Sequence, residues 1–277
     1  MRLGLLASIL AMAAMLAVPA SMRAQRTQPD GAPKAPPDLS GMWAPDVIPG
    51  TATIGGDAAS ARDFAAGRVP RFGLSREEPP MQPWAADLYK ARRAGMGPFE
   101  RGKEADDPVM YPYCMPQGLP RVYTVGLPFE IIQTPKVVYM LFESNHQMRH
   151  IYMDGRKHLE GWSATFLGNS TGHWEGETLV VETANLLSLG GKAWLDFFGH
   201  PFSDAMRITE RMRRPDRDTL QIDFLFDDPK AYTKPWTGQK IFHYRPDWDM
   251  TEQITCQDHQ MNEFQEDTAH GQPRGRP

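Results

Sequence analysis

The sequence contains little that would bind nucleic acid or nucleotides. Its net charge is -4, whereas nucleic-acid binders generally carry a basic patch or stripe, so nucleic acid is not a predicted partner. It lacks a glycine-rich phosphate loop, an alternation of strands with long helices, and an internal repeat of about 20 to 50 residues. These absences exclude the common nucleotide-binding folds and the repeat architectures. One long apolar run is present, and it lies at the N-terminus.

That run, residues 3–18, follows Arg2 and precedes the small residues Ala20 and Ala24. A basic start, an apolar stretch and small residues at cleavage positions are typical of a secretory signal peptide. The run is shorter than the roughly 20 apolar residues of a spanning helix, so we expect cleavage after Ala20 or Ala24 rather than a membrane anchor. The sequence therefore predicts a signal peptide over residues 1–24, a periplasmic or secreted protein, and no membrane insertion after cleavage.

Cysteine is also scarce, since the chain has only Cys114 and Cys256. In an oxidising compartment these two cysteines predict one disulfide bond, with two buried free thiols as the alternative. Closing so long a loop would stabilise the fold by roughly 4 to 5 kcal/mol in the chain-entropy model.

Composition divides the rest of the chain into three parts. Residues 25–38 are rich in proline and polar side chains, which predicts a disordered linker, and residues 262–277 predict a flexible tail. Residues 39–261 form the predicted single domain, although length alone would also allow two small ones. Its first part has few strand patterns and many prolines, which indicates an irregular N-terminal arm with one short helix over residues 83–96.

Beyond residue 121, short runs of β-branched and aromatic residues alternate with turn residues, a pattern typical of antiparallel strands. A meander of about ten strands avoids exposed edges by closing into a barrel, and a barrel of about eight to ten strands has room for one small ligand. The predicted fold class is therefore an all-β, lipocalin-like barrel, with a two-sheet sandwich as the alternative. The predicted strands are 122–125, 129–134, 137–143, 147–153, 163–167, 178–183, 205–213, 219–226, 239–244 and 250–256.

Several motifs resemble known proteins. Gly41-Met42-Trp43 resembles the Gly-x-Trp start of the first lipocalin strand, in which the tryptophan closes the barrel floor. The whole domain resembles an uncharacterised exported bacterial family, which implies export and a lipocalin-like barrel but no particular reaction. Asn169 stands where this family's pattern leads us to expect histidine or aspartate, and Phe202 stands where it leads us to expect histidine, which weakens a histidine mechanism. The segments that carry the resemblance include DLSGMW at 38–43, FEIIQTP at 129–135, IYMDGRKH at 151–158, GNSTGHWEGETLVVET at 168–183 and DDPKAYTKPW at 227–236.

Glu210 is the first candidate for chemistry. In predicted strand 205–213 it shares one face with Ile208 and Met212, which are apolar. A buried carboxyl group must be paired or kept neutral, and a carboxyl group in either condition can serve as a general acid or base. We therefore predict Glu210 as a catalytic base, with a structural salt bridge as the alternative.

Predicted strand 147–153 supplies two more candidates, Arg149 and Tyr152. They lie on opposite faces of the strand, and the sequence does not show which face is inward. Arg149 is predicted to pair with Glu143 or Glu210, or to hold an anionic substrate group. Tyr152 would donate a hydrogen bond to a carbonyl or ether oxygen. His158, beyond the next turn, is a further catalytic candidate that would present a titrating imidazole near the barrel mouth. Each has an ordinary wall or surface position as its alternative.

The long segment 186–204 contains glycines and several aromatic residues. It predicts a lid over an apolar pocket, and an aromatic cluster that seals one end of the barrel is the alternative. Asn169 is interpreted as a turn residue or a pocket donor. The predicted ligand-binding residues are Glu143, Asn169, Trp194, His200, Asp204 and Trp236.

Two functions fit these patterns. The first is an exported protein that acts on a small hydrophobic or aromatic molecule by cofactor-free acid/base chemistry, as a lyase, isomerase or hydrolase. Glu210 would then be the base, Tyr152 the acid and Arg149 the anchor. The second is a non-catalytic carrier of the same ligand class. A structural or interaction protein, which predicts a filled barrel, is the third possibility, and no cofactor or metal site is predicted for any of them.

Overall fold

Nine strands form a closed barrel in which neighbours in sequence are neighbours in space, and the last strand pairs with the first. This computed structural model describes residues 36–45, 57–103, 106–109, 114–158, 161 and 163–251. The predicted all-β, lipocalin-like barrel is confirmed. Its strands are β1 Gly41–Ala44, β2 Phe129–Gln133, β3 Val137–Phe142, β4 Gln147–Tyr152, β5 Asn169–Glu175, β6 Thr178–Ala184, β7 Arg207–Asp216, β8 Thr219–Asp227 and β9 Trp236–Tyr244.

Several sequence predictions concern residues outside the described part of the chain. The predicted signal peptide 1–24, most of the linker that follows it, and the tail 262–277 lie there. So do all but the first two residues of predicted strand 250–256. Cys114 is described and Cys256 is not, so the predicted disulfide bond also lies outside the described residues and stays a prediction.

The predicted strand 122–125 is wrong. Its residues belong to a 3-10 helix, Arg121–Thr124, and all four side chains of that helix are buried. Residues 122–125 are β-branched or aromatic, a composition typical of strands, and so short a run does not show the period that would distinguish a helix. Predicted strand 163–167 is reduced to an isolated bridge between Thr165 and Leu186.

Strand β5 was not predicted, and it introduces the one parallel pairing of the barrel. It pairs with β4 through Ile151 and Ser170 and through Tyr152 and Thr171, while every other neighbouring pair is antiparallel. The chain between β4 and β5 therefore crosses over instead of turning back, so the expected antiparallel meander is interrupted there.

The N-terminal arm, defined here by residues 57–109, packs against the barrel. It contains α1 Asp57–Ala65, which was not predicted, and α2 Pro83–Arg93, which shortens the predicted helix 83–96. The arm approaches β9 so closely that a Cβ atom on Gly238 would lie 2.4 Å from the Leu74 carbonyl oxygen.

The side chains of the strands alternate between the barrel interior and its outer surface. On β7, Ile208, Glu210 and Met212 are all buried. On β4, Arg149 and Ile151 are buried while Met148 is exposed, which settles the orientation that the sequence left open. The interior is packed by one hydrophobic cluster, to which nearly every strand contributes. Protein side chains therefore fill the space that a lipocalin-like barrel of this size can offer to a ligand.

Candidate functional site

A buried ion pair joins Arg149 on β4 to Glu210 on β7 inside the barrel. Both side chains are 1% exposed. Arg149 Nη1 donates to Glu210 Oε1 at 3.0 Å and Nη2 donates to Oε2, so the contact is bidentate. Of the two acidic partners considered from the sequence, Arg149 therefore binds Glu210 and not Glu143.

Three hydroxyl groups complete the surroundings of this pair. Arg149 donates from Nε to Ser170 Oγ at 3.1 Å, from Nη2 to Thr183 Oγ1 at 2.8 Å, and from Nη1 to the Tyr123 hydroxyl at 2.8 Å. Tyr123 in turn donates to Glu210 Oε1 at 2.9 Å. With its two bonds to Glu210, Arg149 makes five contacts with oxygen atoms, as many as a guanidinium group has N–H donors, and Nη1 also lies 3.7 Å from the Met140 sulfur.

The electrostatics of this cluster shift the pKa values of Arg149 and Tyr123. Burial is the largest influence on Arg149 and would lower its pKa, but the charges and hydrogen bonds of Glu210 and Tyr123 together outweigh burial and raise that pKa above its ordinary value. Burial, followed by the charge of Glu210, raises the pKa of Tyr123 well above its ordinary value, so Tyr123 remains a donor. Glu210 lines neither of the two clefts described below. The cluster thus has the geometry of a structural support.

The barrel wall is incomplete beside the first half of β4. Register pairs join β4 to β5 only at Ile151 and Tyr152, so residues 147–150 pair with β3 alone. The crossover segment 163–168 stands opposite this edge. Between them lies a cleft of about 730 Å³, which we call the β4–β5 cleft.

The β4–β5 cleft offers both apolar contacts and hydrogen bonds. Its volume falls in the range of ordinary small-molecule sites, roughly 300 to 1,000 Å³. Arg149 and Ser170 reach it from the buried cluster. No aspartate or glutamate is among its described lining residues. Its apolar and aromatic lining residues are Pro116, Met148, Tyr152, Phe166 and Leu167, and its amide and imidazole groups come from Asn145, His146, Gln147, His150, Asn169 and Asn185.

Unusual backbone conformations gather around this cleft. Asn145, His146 and Asn185 have φ angles of 55°, 49° and 58°, and Gly168 has 65°. Non-glycine residues with positive φ are uncommon and cluster at functional sites, where the surrounding structure holds them in place. Asparagine tolerates this region better than histidine does, so His146 carries the most strain of the three. The rim of the cleft therefore combines three residues suited to positive φ, Asn145, Asn185 and Gly168, with His146, which is held there by its surroundings.

Gly168 is expected to be essential to this rim. An alanine there would adopt φ +65° and place its Cβ 2.6 Å from the Ala184 carbonyl oxygen. We expect Gly168→Ala to lower the free energy of unfolding by about 2 to 4 kcal/mol, measured by urea denaturation. Gly155 is the matched control, because it has φ +74° and no atom within 4 Å of the added Cβ, so Gly155→Ala should cost only about 1 kcal/mol. Equal losses in the two variants would contradict the steric argument.

Three predicted site residues, Arg149, Tyr152 and Asn169, line the β4–β5 cleft, and a fourth, His158, contacts Asn169. Tyr152 lines it, with the Arg156 guanidinium 3.8 Å from the centre of its ring. Asn169 also lines it, and Asn169 Oδ1 is 3.3 Å from His158 Nδ1. Tyr152, however, is on the opposite face of β4 from Arg149, so it does not meet Glu210. The predicted acid and base are not adjacent, and the phenol that contacts Glu210 is that of Tyr123.

Two predicted ligand-binding residues are wall residues elsewhere in the barrel. Glu143 follows β3, is buried, and accepts a hydrogen bond from the Thr251 backbone N–H at 3.3 Å. Trp236 is stacked on Phe226, with ring centroids 4.2 Å apart. Neither residue lines the β4–β5 cleft.

The segment 186–204 packs as the aromatic cluster considered from the sequence. Phe197 and Phe198 pack with Phe72 of the arm. Trp194 is buried, and the guanidinium carbon of Arg121 lies 5.1 Å from the centre of its ring. A lid would need aromatic side chains directed at an open pocket, and these are buried against the arm instead. Asp204 is exposed and forms an ion pair with Lys230 at 2.8 Å. This predicted ligand contact therefore lies at the surface.

His200 is buried between two carboxylates. Its Nδ1 lies 2.8 Å from Asp196 Oδ2 and its Nε2 lies 3.0 Å from Glu78 Oε1. Its ring stacks on that of Tyr89, with the ring centroids 4.1 Å apart. Burial would lower the pKa of His200, but Asp196 and Glu78 raise it to about 9. His200 is thus charged at neutral pH and joins the segment 186–204 to the arm.

The sequence interpretation missed Tyr123, Ser170, Thr183 and Lys240. Thr183 follows Leu179 and Val181 on the buried face of β6, and Lys240 precedes Phe242 on the buried face of β9. A polar residue at an apolar position of the alternation was the pattern that indicated Glu210. The same pattern would have found these two residues. Tyr123 and Ser170 lie in segments whose structure was predicted wrongly or not at all.

Among the described residues there is neither a candidate metal site nor a candidate membrane-spanning helix. Within them, no group of three or more His, Cys, Asp or Glu side chains is placed to hold a metal ion. The helices α1 and α2 have 9 and 11 residues, and the described part of the chain holds no helix with the length and apolar character of a membrane span.

The fold and the site together define the class of protein. It is a closed all-β barrel of lipocalin-like architecture, with a packed interior and an open cleft beside β4, and this fold is compatible with binding of a small molecule. No protein-family model, curated protein or solved structure matches the chain.

Proposed function

We propose that this protein is exported and binds a small apolar or aromatic molecule in the β4–β5 cleft, as a carrier rather than as an enzyme. Export is supported by the basic, apolar and small-residue pattern of residues 1–24 and by the resemblance to an exported bacterial family. Binding is supported by the cleft itself, which combines an open strand edge with apolar and amide side chains.

The lining of the β4–β5 cleft indicates the class of ligand. Met148 is 50% exposed there, and Tyr152 and Phe166 add aromatic surface. Amide groups from Asn145, Asn169 and other residues surround this surface, so polar groups of a ligand would find both donors and acceptors. An aromatic or terpenoid ring that carries hydroxyl or carbonyl groups fits this combination.

Carriage is favoured over acid/base catalysis by the position of the carboxylates. A general acid or base must lie within hydrogen-bonding reach of the reacting group. Glu210 is paired with Arg149 and Tyr123 in the interior, and the described lining of the cleft contains no carboxylate. The acid/base chemistry predicted from the sequence therefore lacks its base at the place where a ligand would bind.

A structural role was the third possibility, and it predicts a filled barrel. The interior is indeed packed, but the strained rim and the open edge of β4 leave a cleft of about 730 Å³ in the wall. A purely structural barrel gives no reason for this opening. We therefore place ligand binding ahead of a structural role, and the experiment below separates the two.

The test uses the mature protein obtained by secretion of the full chain. Thermal shift and calorimetry against a panel of aromatic and terpenoid compounds should identify at least one ligand. Met148→Ser is then expected to weaken its binding about tenfold, because a thioether side chain loses its contact with the ligand. Ile132→Ser is the matched control, since Ile132 is similarly exposed, at 42%, but lies on β2 outside the cleft.

Each outcome bears on one part of the proposal. If no compound shifts the melting temperature, binding of this ligand class is refuted. Equal affinity in the two serine variants would place the ligand elsewhere, and conversion of the ligand to a product would refute pure carriage. The intact mass of the secreted protein tests export, because cleavage should leave Ser21 or Gln25 as the first residue.

A further inference from the structure

A second cleft lies where the arm meets β9. Its volume is about 260 Å³, and it shares no lining residue with the β4–β5 cleft. The arm contributes Asp63, Arg68 and Arg71, and the barrel contributes Phe242 and His243 together with Lys240. We call it the Lys240 cleft. Lys240 is 8% exposed, and no carboxylate of the described residues pairs with it, a combination that is rare for a lysine.

The contacts of Lys240 suit a neutral amine better than an ammonium ion. Its Nζ donates to the carbonyl oxygens of Arg71 at 2.6 Å and Pro70 at 3.2 Å. An ammonium group has three N–H donors, whereas a neutral amine has two donors and a lone pair. Two carbonyl acceptors satisfy both donors of the neutral amine. The remaining position around Nζ is then occupied by the lone pair.

The nearby cation Arg71 acts on Lys240 in the same direction as its burial. Burial first and Arg71 second lower the pKa of Lys240, and against the opposing effects of Asp63 and Asp196 they bring it to about 7. Arg68 from the arm and His243 from β9 also line the cleft. Desolvation and an adjacent cation are two recognised ways of making a lysine nucleophilic at neutral pH.

We propose that Lys240 is a nucleophilic amine that forms an imine with a small aldehyde or ketone bound in the Lys240 cleft. The Nζ lone pair attacks the carbonyl carbon and forms a C–N bond. The two amine protons leave with the carbonyl oxygen as one water molecule, and the C=N bond replaces the C=O bond. Nothing is oxidised or reduced, so the step needs no cofactor. Hydrolysis returns the amine and the carbonyl compound.

The walls of the cleft limit the carbonyl compound to a small one with an apolar body. Val69 and Phe242 provide apolar surface, and Tyr123 adds the edge of an aromatic ring. A simple aromatic aldehyde meets both conditions. The proposal concerns a different cleft from the carrier proposal, so either can fail without the other.

The experiment traps the imine by reduction. The mature protein is incubated at pH 7 with benzaldehyde and sodium cyanoborohydride, and the benzylated lysines are quantified by peptide mapping over time. An ordinary lysine with a pKa near 10.4 is neutral in only about one molecule in 2,500 at pH 7, whereas about half of Lys240 is neutral. After allowance for restricted access, we expect Lys240 to react at least about tenfold faster than Lys136 or Lys234, which are exposed.

A reaction at Lys240 that is no faster than at Lys136 would overturn the proposal. Lys240→Met should remove the fast adduct from the intact mass. If that variant fails to fold, competitive labelling of the wild-type protein with acetic anhydride between pH 6 and 10 decides the matter instead. A midpoint of Lys240 reactivity near pH 7 supports the proposal, and a midpoint above about pH 9 refutes it.

Discussion

Replacing Arg149 by methionine should lower the free energy of unfolding by about 3 to 5 kcal/mol, which is a large fraction of the stability of an ordinary domain. The physical reason is that the substitution leaves the Glu210 carboxylate buried without its counter-charge. Both side chains are 1% exposed, so water cannot take the place of the guanidinium group. Chemical denaturation, monitored by tryptophan fluorescence, measures the loss.

Two further variants separate the charge effect from simple loss of packing. Arg149→Met combined with Glu210→Leu should recover much of the loss, because a buried pair replaced by apolar side chains of similar volume is often tolerated. Arg156→Met is the matched surface control, since the Arg156–Asp154 pair is about 40% exposed and should contribute little to stability. If Arg149→Met lowers the free energy of unfolding no more than Arg156→Met does, the Arg149–Glu210 pair is not shielded from water as its geometry indicates.

Between pH 7 and 9, two buried groups should change stability in opposite directions. His200 has a pKa of about 9 in the folded protein, raised from an ordinary value of 6.5. The folded state therefore holds the His200 proton more tightly, so this contribution is complete below about pH 6.5 and is lost as the pH rises towards 9. Lys240 behaves in the reverse way. Its pKa is lowered from 10.5 to about 7, so the unfolded state holds the proton more tightly and stability rises with pH over that window.

Each of these groups changes the free energy of unfolding by about 1.4 kcal/mol per pH unit inside the shared window, with opposite signs. The two contributions therefore cancel in the wild-type protein. In His200→Gln only the Lys240 contribution remains, and stability should rise between pH 7 and 9. In Lys240→Met only the His200 contribution remains, and stability should fall over the same range.

Urea denaturation at half-unit steps of pH measures these slopes. The slope is the informative quantity, because either substitution also changes the absolute stability by removing hydrogen bonds. If the wild-type protein and both variants show parallel profiles of unfolding free energy against pH, neither His200 nor Lys240 contributes to the pH dependence between pH 7 and 9 as expected. A rising profile in Lys240→Met would contradict the charged state of His200 specifically.

Much of the barrel could be predicted from the sequence because its antiparallel strands depend on local patterns. Strand β7 alternates Ile208, Glu210 and Met212 on one face, and this alternation also identified Glu210 as a buried carboxylate. Turn residues between β3 and β4 and between β7 and β8 gave the order of the hairpins. Local alternation and turn chemistry are properties of neighbouring residues, so they can be seen without the fold.

Strand β5 could not be predicted in this way. Its sequence, NSTGHWE, contains asparagine, serine and glycine, which are not typical of strands. The strand exists because it pairs along its whole length with β6 and at Ser170 and Thr171 with β4, where Ile151 packs so close that a Cβ on Gly172 would lie 2.9 Å from the Ile151 Cγ2 atom. Pairing with these neighbouring strands decides the element, and the preferences of its own residues do not contain that information.

The sequence by itself determined the closed all-β architecture of this protein and the burial of Glu210. It also supports the prediction of export, which rests on residues 1–24. Only the tertiary structure decided which face of β4 is inward, and hence that Arg149 meets Glu210 while Tyr152 lies outside. It also decided that the interior is packed, that a parallel seam opens the β4–β5 cleft, and that the arm buries Lys240. The physical reason is that period and composition describe one segment at a time, whereas register, charge pairing and clefts depend on which segments meet.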